Sequence, residues 1–555
     1  MRAPNTPTVS EDETVPDATG PGEPRTDDGR DGERASGAIA RRAGLVAAGT
    51  LTSRALGFLR DVVLAAVFPK AATDLFFVAF TIPNALRVLL GEGAVSSAVV
   101  PVFSEVRAEE GEEAARRYFA KLTGLLGLTL LVVSVVGVFA APLLAMIYGT
   151  GYLDDPPRFQ TMVELTRWVF PYLFFIGLAA LGMGGLNSLR RFAVPAFAPA
   201  LLNIAFIAAA FFLVGPATGL GLPPIGALAL GALVGGALQV VAQWPAQRRA
   251  GLLRWPRLDL KDPRVKKTLH LMVPLLAGFG VYQLNTVLGK NFASFLPTGA
   301  QSYIYYGQRV VEIPQGMFAL AIAAAALPTL SDLRARGDDV EVRRLFGYAL
   351  RLTLFLAIPS SIALGVLAEP IVAVGFGRGE FGRTEVIETA ASLRWQAAGV
   401  WAIASVRTVV PMFFAYQDTR SPVIASAANL VFFAAVSLLL MGPFEHVGIA
   451  MGLSAAGAAQ LLVLLVLLRR RVGRLGLRAV VVGAARISVA AAAMGGALWG
   501  VARLGAWERG ATWLNAGVLL AAIAIGGLTF VAVAAVLRSP ELKELLDAVR
   551  RRVKR

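Results

Sequence analysis

The sequence predicts an all-α polytopic membrane protein of fourteen transmembrane helices, built as two parallel repeats of six with two further helices near the C-terminus. Three observations lead there. Of 555 residues, 56% are hydrophobic and 16% are charged, where a soluble chain carries about 25% charged residues. Apolar stretches of about 20 residues, the length that crosses a bilayer as a helix, recur almost to the C-terminus. Short motifs also return in the same order about 225 residues later.

The first 38 residues are rich in Pro, Gly, Asp and Glu and hold no apolar run. They read as a disordered tail, without the order of regions that makes a signal peptide. Hydropathy then places spans at about 41–68, 72–104, 115–148, 160–189, 193–215, 224–247, 265–296, 300–331, 341–375, 385–416, 421–442, 446–469, 478–503 and 512–537. A short amphipathic helix at about 539–555 closes the sequence. The implied organisation is an N-lobe over 39–249, a cytoplasmic loop over 250–264 and a C-lobe over 265–470. The last two spans fall within 471–538.

Alternate loops differ sharply in Lys and Arg. One set holds Arg107, Arg116, Arg117, Arg190, Arg191, the run from Arg248 to Lys267, Arg334, Arg336, Arg343, Arg344 and Arg469 to Arg474. The other has little beyond Lys70, Arg158, Arg378, Arg383, Arg503 and Arg509. The rich set belongs in the cytoplasm, which puts both termini there, as an even span count requires. The net charge of +16 therefore reads as orientation and attraction to anionic phospholipids, not as nucleic-acid binding.

The repeat is visible in three places. GVFAAPLLAMIYGTG (137–151) matches GVLAEPIVAVGFGRG (365–379), and GALVGGALQ (231–239) matches GLSAAGAAQ (452–460). RFAVPAFAPALLN (191–203) is weakly like TRSPVIASAANL (419–430). Each unit holds an even number of spans, so the two are parallel, a plan that places a transport site between lobes near the midplane.

Several functions are excluded. The chain has no cysteine and two histidines, His270 and His446, so thiol chemistry and a multi-His metal site have no basis. No G-x4-G-K-[ST], H-E-x-x-H or G-x-S-x-G string occurs. No enzyme site and no cofactor is expected. Transport would draw on an ion gradient, the membrane potential or the substrate gradient.

Charges inside spans are costly and mark cavities or partners. Span 1 holds Arg54, Arg60 and Asp61, and span 2 holds Asp74, Arg87 and Glu92. Lys290 lies in span 7, Arg309 and Glu312 in span 8, and Arg394 and Arg407 in span 10. Arg54 and Asp61, seven apart, share a helix face with Gly57 between them. Arg309 and Glu312, three apart, can pair. Arg87 follows the kink expected at Pro83. Lys290 and Arg394 are accounted for equally well by snorkelling to the headgroups, and Asp74 by capping a helix. Arginines converging between lobes would suit a diphosphate, because the guanidinium fork makes bidentate, charge-assisted bonds.

The strings SRALGFLRD (53–61) and ATDLFFVAFTIPNALRVLLGEGAVSSAVVPVFSE (72–105) resemble the signature of the MurJ/MviN family of lipid II flippases, within the multidrug/oligosaccharidyl-lipid/polysaccharide exporter superfamily. The likeness continues in RRFAVPAFAPALLNI (190–204), NFASFL (291–296), YYGQRVVEIPQG (305–316) and FFAYQDTRSPV (413–423). The resemblance implies two six-helix lobes in a V around a cationic cavity, and two further helices forming a groove for the polyprenyl tail. It implies substrate-binding roles for Ser53, Arg54, Arg60, Asp61, Asp74, Asn84, Arg87, Glu92, Arg309 and Glu312. Gln308 and Val88 depart from the family pattern. So does Gly289-Lys290, which stands where some members carry an Asp tied to sodium; Asp418 is then the remaining candidate for cation coupling.

The implied function is translocation of lipid II from the cytoplasmic to the periplasmic leaflet of the bacterial inner membrane by alternating access, without covalent chemistry. Cell-wall synthesis and division proteins are candidate partners. The rival readings are export of another lipid-linked oligosaccharide or a drug, and a non-transporting scaffold of the cell-wall machinery.

Overall fold

The structure, a computed structural model, describes residues 28–87, 96–315, 320–473 and 475–553. Those residues form helices and turns, with no strand among them. In the first half they are α1 (Asp28–Val67), α2 (Lys70–Arg87), α3 (Ser96–Phe139), α4 (Ala141–Tyr148), α5 (Pro156–Val169), α6 (Tyr172–Ser188), α7 (Ala193–Phe212), α8 (Val214–Gly219) and α9 (Gly226–Arg249). The second half has α10 (Pro263–Ser294), α11 (Ala300–Pro314), α12 (Leu320–Ala335), α13 (Asp339–Val366), α14 (Ala368–Phe376), α15 (Arg383–Ala398), α16 (Val400–Ala415) and α17 (Arg420–Val472). The chain then adds α18 (Leu477–Ala502), α19 (Trp513–Val536) and α20 (Pro540–Val553).

By length and composition, 8 helical segments among the described residues can cross a membrane, or 9 if the α15–α16 pair, bent by 40°, counts as one span. The expected spans outside this set are chiefly the first, second, seventh and eighth, which carry most of the in-span charges. Polarity lowers their hydropathy, and Pro83 in α2 and Pro314 in α11 interrupt regular hydrogen bonding.

Two long helical runs double back. The 53 residues of α17 would measure about 80 Å if straight. Glu445 instead takes φ 49°, ψ −131°, and Asn429 bonds Gln460 at 3.1 Å. A Cβ on Gly452 would lie 3.1 Å from the Ser437 nitrogen, so glycine is what lets the two arms touch. In α3, Gly111 at φ 86° makes a similar break. It brings the Phe103 and Phe119 rings to 6.2 Å, where a straight helix would separate them by about 24 Å.

The helix α1 begins at Asp28, so the expectation of a disordered tail to residue 38 is corrected for 28–38; residues 1–27 lie outside the described residues. The stretch from Glu33 to Arg42 is mostly Ala and Arg, good helix formers, and extending an existing helix avoids the cost of nucleation.

In the first half α7 packs on α1 and α9, and α6 packs on α3 and α9. In the second half α16 packs on α13 and α17, while α18 packs on α13 and α19. The largest apolar core runs across the junction, from Leu64, Phe76 and Phe77 to Tyr306, Phe376 and Leu393. Polar bonds join the halves at the same end. Asn291 Nδ2 donates to Thr150 Oγ1 at 2.6 Å, and Gly151 N to Ser294 Oγ at 2.9 Å. Lys70 pairs with Glu385 at 2.8 Å, and Glu380 N donates to Ala66 O at 3.0 Å. All these residues sit in or beside the loops poor in Lys and Arg.

Candidate functional site

Asp61 is the centre of the charged cluster that the fold assembles. It is fully buried on α1, and burying a carboxylate is tolerated only with partners. Its neighbour Arg60 donates to Oδ1 through Nε at 2.9 Å and Nη2 at 2.7 Å. From the other half, Arg309 Nε on α11 donates to Oδ2 at 2.7 Å, and the Tyr305 hydroxyl donates to Oδ1 at 3.1 Å. Arg309 also reaches Glu312 at 2.7 Å, the pairing expected from their spacing. One carboxylate thus ties two arginines from opposite halves of the chain.

Two residues of the cluster were not among the sequence candidates. Asn203 on α7 accepts from Arg60 Nη1 at 3.1 Å and donates to the Ser53 carbonyl at 3.0 Å. Tyr305 stacks on Phe77 with centroids 3.8 Å apart and lies beneath the Arg309 guanidinium at 5.6 Å. Both are polar residues in strings that carry the family likeness, but neither is charged, so neither stands out within an apolar span as an ionisable residue does. Gly57 faces the cluster as expected: a Cβ there would stand 3.8 Å from Arg309 Nη2.

The remaining candidates divide. Arg54 is exposed on α1, one turn before Gly57. Ser53 takes part through its carbonyl. Arg87 Nε donates to Asn84 Oδ1 at 2.8 Å, an interaction local to α2. Glu92 lies outside the described residues. Asp74 is buried elsewhere. It accepts from Gly299 N at 2.6 Å, Ser302 N at 2.8 Å and Ser302 Oγ at 2.7 Å, so it caps α11 across the junction rather than its own helix. Asp418 accepts from Arg420 N, Ser421 N and Ser421 Oγ, and pairs with Arg471 at 2.6 Å. Its oxygens are committed to a helix cap and an ion pair, which does not suit a cation site. No cluster of three or more His, Asp or Glu able to hold a metal occurs among the described residues.

Two further cations are near. Lys290 on α10 places Nζ 6.0 Å from the Tyr305 ring centroid. Arg407 on α16 donates weakly to the Gln315 carbonyl at 3.4 Å. Arg394 on α15 lines an apolar groove of about 740 Å³ shared with α13, α16, α17 and α18, and lies 3.8 Å from Glu369.

Comparison with known proteins gives this arrangement a context. The family model described as "Lipid II flippase MurJ" matches residues 64–516. A probable lipid II flippase MurJ of Vibrio cholerae serotype O1 is 35% identical over 509 residues, covering 89% of this chain and 94% of its own length. A lipid II flippase MurJ of Burkholderia cenocepacia is 35% identical over 427 residues, covering 76% of this chain and 82% of its own. Among solved structures, a lipid II flippase MurJ in an inward closed conformation superposes with a TM-score of 0.73 at 25% identity, covering 89% of this chain and 98% of that one. An inward-facing multidrug resistance MATE family transporter shares the fold, with a TM-score of 0.64 at 14% identity and coverage of 76% and 95%. The chain belongs to the lipid II flippase MurJ family.

Proposed function

We propose that this protein is a lipid II flippase of the bacterial inner membrane, moving the undecaprenyl-diphosphate-linked peptidoglycan precursor from the cytoplasmic to the periplasmic leaflet. The observation that carries the reading is the cluster in which Asp61 holds Arg60 of one half and Arg309 of the other. A diphosphate is bound best by guanidinium forks, and a carboxylate keeps those forks aligned without substrate. Fourteen spans in two six-helix lobes, both termini in the cytoplasm and α18–α19 as a rest for the prenyl tail complete the arrangement. Arg54, Arg87 and Glu312 extend the polar path.

Transport proceeds without covalent chemistry. The bonds among 66–74, 147–151, 291–302 and 380–385 close one end of the junction, which the Lys/Arg distribution assigns to the periplasm. Alternating access then means breaking those bonds and closing the opposite end. Anionic phospholipids are the bilayer partners of the basic loops.

The test is lipid II translocation in cells depleted of their own flippase, with membrane levels measured in parallel. Wild-type protein restores translocation, and Arg309→Ala lowers it at least 10-fold while Arg309→Lys keeps part of it. Translocation by Arg54→Ala, Arg87→Ala and Arg309→Ala at the wild-type rate would overturn the arginine cluster as the substrate site; growth support by all three variants without translocation would favour a scaffold; restoration of another glycolipid's export alone would favour the alternative cargo.

A further inference from the structure

We propose that Lys290 is a substrate-contacting residue, the cation that receives the diphosphate at the sealed end of the charged cluster. The inference rests on the flippase reading and extends it to a residue that snorkelling would otherwise explain.

The first observation is charge balance. Arg60 and Arg309 are matched by Asp61 and Glu312. Lys290 Nζ makes no ion pair and no hydrogen bond among the described residues; its neighbour is the face of Tyr305. Asp74 makes no direct bond to Lys290; its oxygens accept from Gly299 and Ser302, and Arg158 stands 3.9 Å away. Arg54 likewise has no carboxylate partner among the described residues. Lys290 and Arg54 thus make no direct ion pair, beside two arginines that do, and can take up an incoming diphosphate without first releasing a carboxylate.

The second observation is depth. At 1.5 Å per residue, Lys290 lies about 6 Å from the end of α10 at Ser294. Arg309 is about 13 Å from the start of α11 at Ala300, and Arg54 about 20 Å from the end of α1 at Val67. Each of these helix ends lies beside a bond of the seal: Ala66 with Glu380, Ser294 with Gly151, and Gly299 with Asp74. The cations therefore form a series running toward the seal: Arg54, then Arg309 with Arg60, then Lys290. The third observation is direction. Snorkelling would carry the lysine to the headgroups, yet its ammonium lies over the ring whose hydroxyl binds Asp61 and Arg60. A lysine, as a compact point charge with rotatable donors, suits a station where the phosphates must be released when the seal opens.

The test uses the purified full chain in detergent, titrated with undecaprenyl diphosphate and with undecaprenyl monophosphate by microscale thermophoresis. Lys290→Gln should weaken diphosphate binding about 10-fold, the order expected for one charge-assisted bond, with a smaller effect on the monophosphate. Lys290→Arg should stay within about 3-fold of wild type. Unchanged diphosphate affinity in Lys290→Gln would overturn the proposal. Equal losses for Gln and Arg, or for both lipids, would overturn it too, since they indicate a packing role. Phosphatidylglycerol added as competitor separates the sources of phosphate: if it abolishes the difference between wild type and Lys290→Gln, the site takes bilayer headgroups and the proposal fails. Thermal melting of each variant checks folding. Wild-type protein that moves no lipid II overturns the flippase reading, whereas the diphosphate titration judges Lys290 independently of transport.

Discussion

At the residue scale, Asp61 illustrates how a membrane interior converts one carboxylate into a joint between halves. It is completely enclosed and receives donors from Arg60, Tyr305 and Arg309. Removing its charge leaves two arginines facing each other with only Glu312 to compensate. Breaking a buried ion pair from one side typically costs about 3–5 kcal/mol. Asp61→Asn should therefore lower the thermal unfolding midpoint of the purified protein far more than Glu312→Gln, whose carboxylate is half exposed. Equal midpoints for the two variants would show that Asp61 is not the joint. Arg309 should show the reverse balance, a large loss of transport with a modest loss of stability, because its guanidinium remains partly exposed while its stem packs over Tyr305.

At the scale of elements, close contacts decide which end of the junction is shut. A Cβ on Gly151 would lie 2.6 Å from the Ser294 carbonyl carbon, well inside van der Waals contact. Gly379, at φ +58°, faces the Ala66 carbonyl oxygen more tightly still. Gly151→Ala and Gly379→Ala should wedge the halves apart there. In this cysteine-free chain, a Thr73→Cys/Ser302→Cys pair, whose hydroxyls are 2.7 Å apart, reports the closure. Its cross-linking should fall when either alanine is added, and undiminished cross-linking would refute the wedge.

The linker between the halves is held by charge. Arg254 grips Glu113 at 2.6 Å, Lys267 meets Glu105 at 2.6 Å, and Lys121 bonds Asp259 at 2.8 Å. The Lys121 ammonium holds the Asp259 carboxyl below the usual carboxylate range. A depressed value means that this contact is complete above about pH 4 and is lost as pH falls through the lowered value. These pairs are largely exposed, so salt should loosen them as well; at 1 M the screening length is about 3 Å. Hydrogen exchange in 250–262 should rise on acidification and in high salt, while α7 and α9 stay protected.

At the scale of the whole molecule, orientation follows from where Lys and Arg sit in the loops. A cysteine placed in 250–262 should resist an impermeant thiol reagent in intact cells, and one placed in 378–382 should react. The opposite pattern would invert the topology and with it the direction of transport. Deleting residues 1–27 should leave growth support intact, since their composition can bury no core. Deletion through residue 38 should cost more, because it removes part of α1.

Composition and local pattern by themselves determined that this is a helical membrane protein, since hydropathy and helix length are sums over neighbouring residues and need no partner. The same holds for the Arg309–Glu312 pair, which one helix turn brings together, and for the internal repeat, which is written in order along the chain. The tertiary structure alone decided which of the in-span charges meet. Asp61 and Arg309 are 248 residues apart, and Asp74 and Ser302 are 228 apart; no local period encodes either distance. Capping was legible for Asp74, but not that the helix it caps is α11 of the other half, and Asp61 joins arginines instead. What separates them is which helix each faces across the junction, and that is set by the packing of α11 against α2, where apolar contact brings the two halves of the chain together.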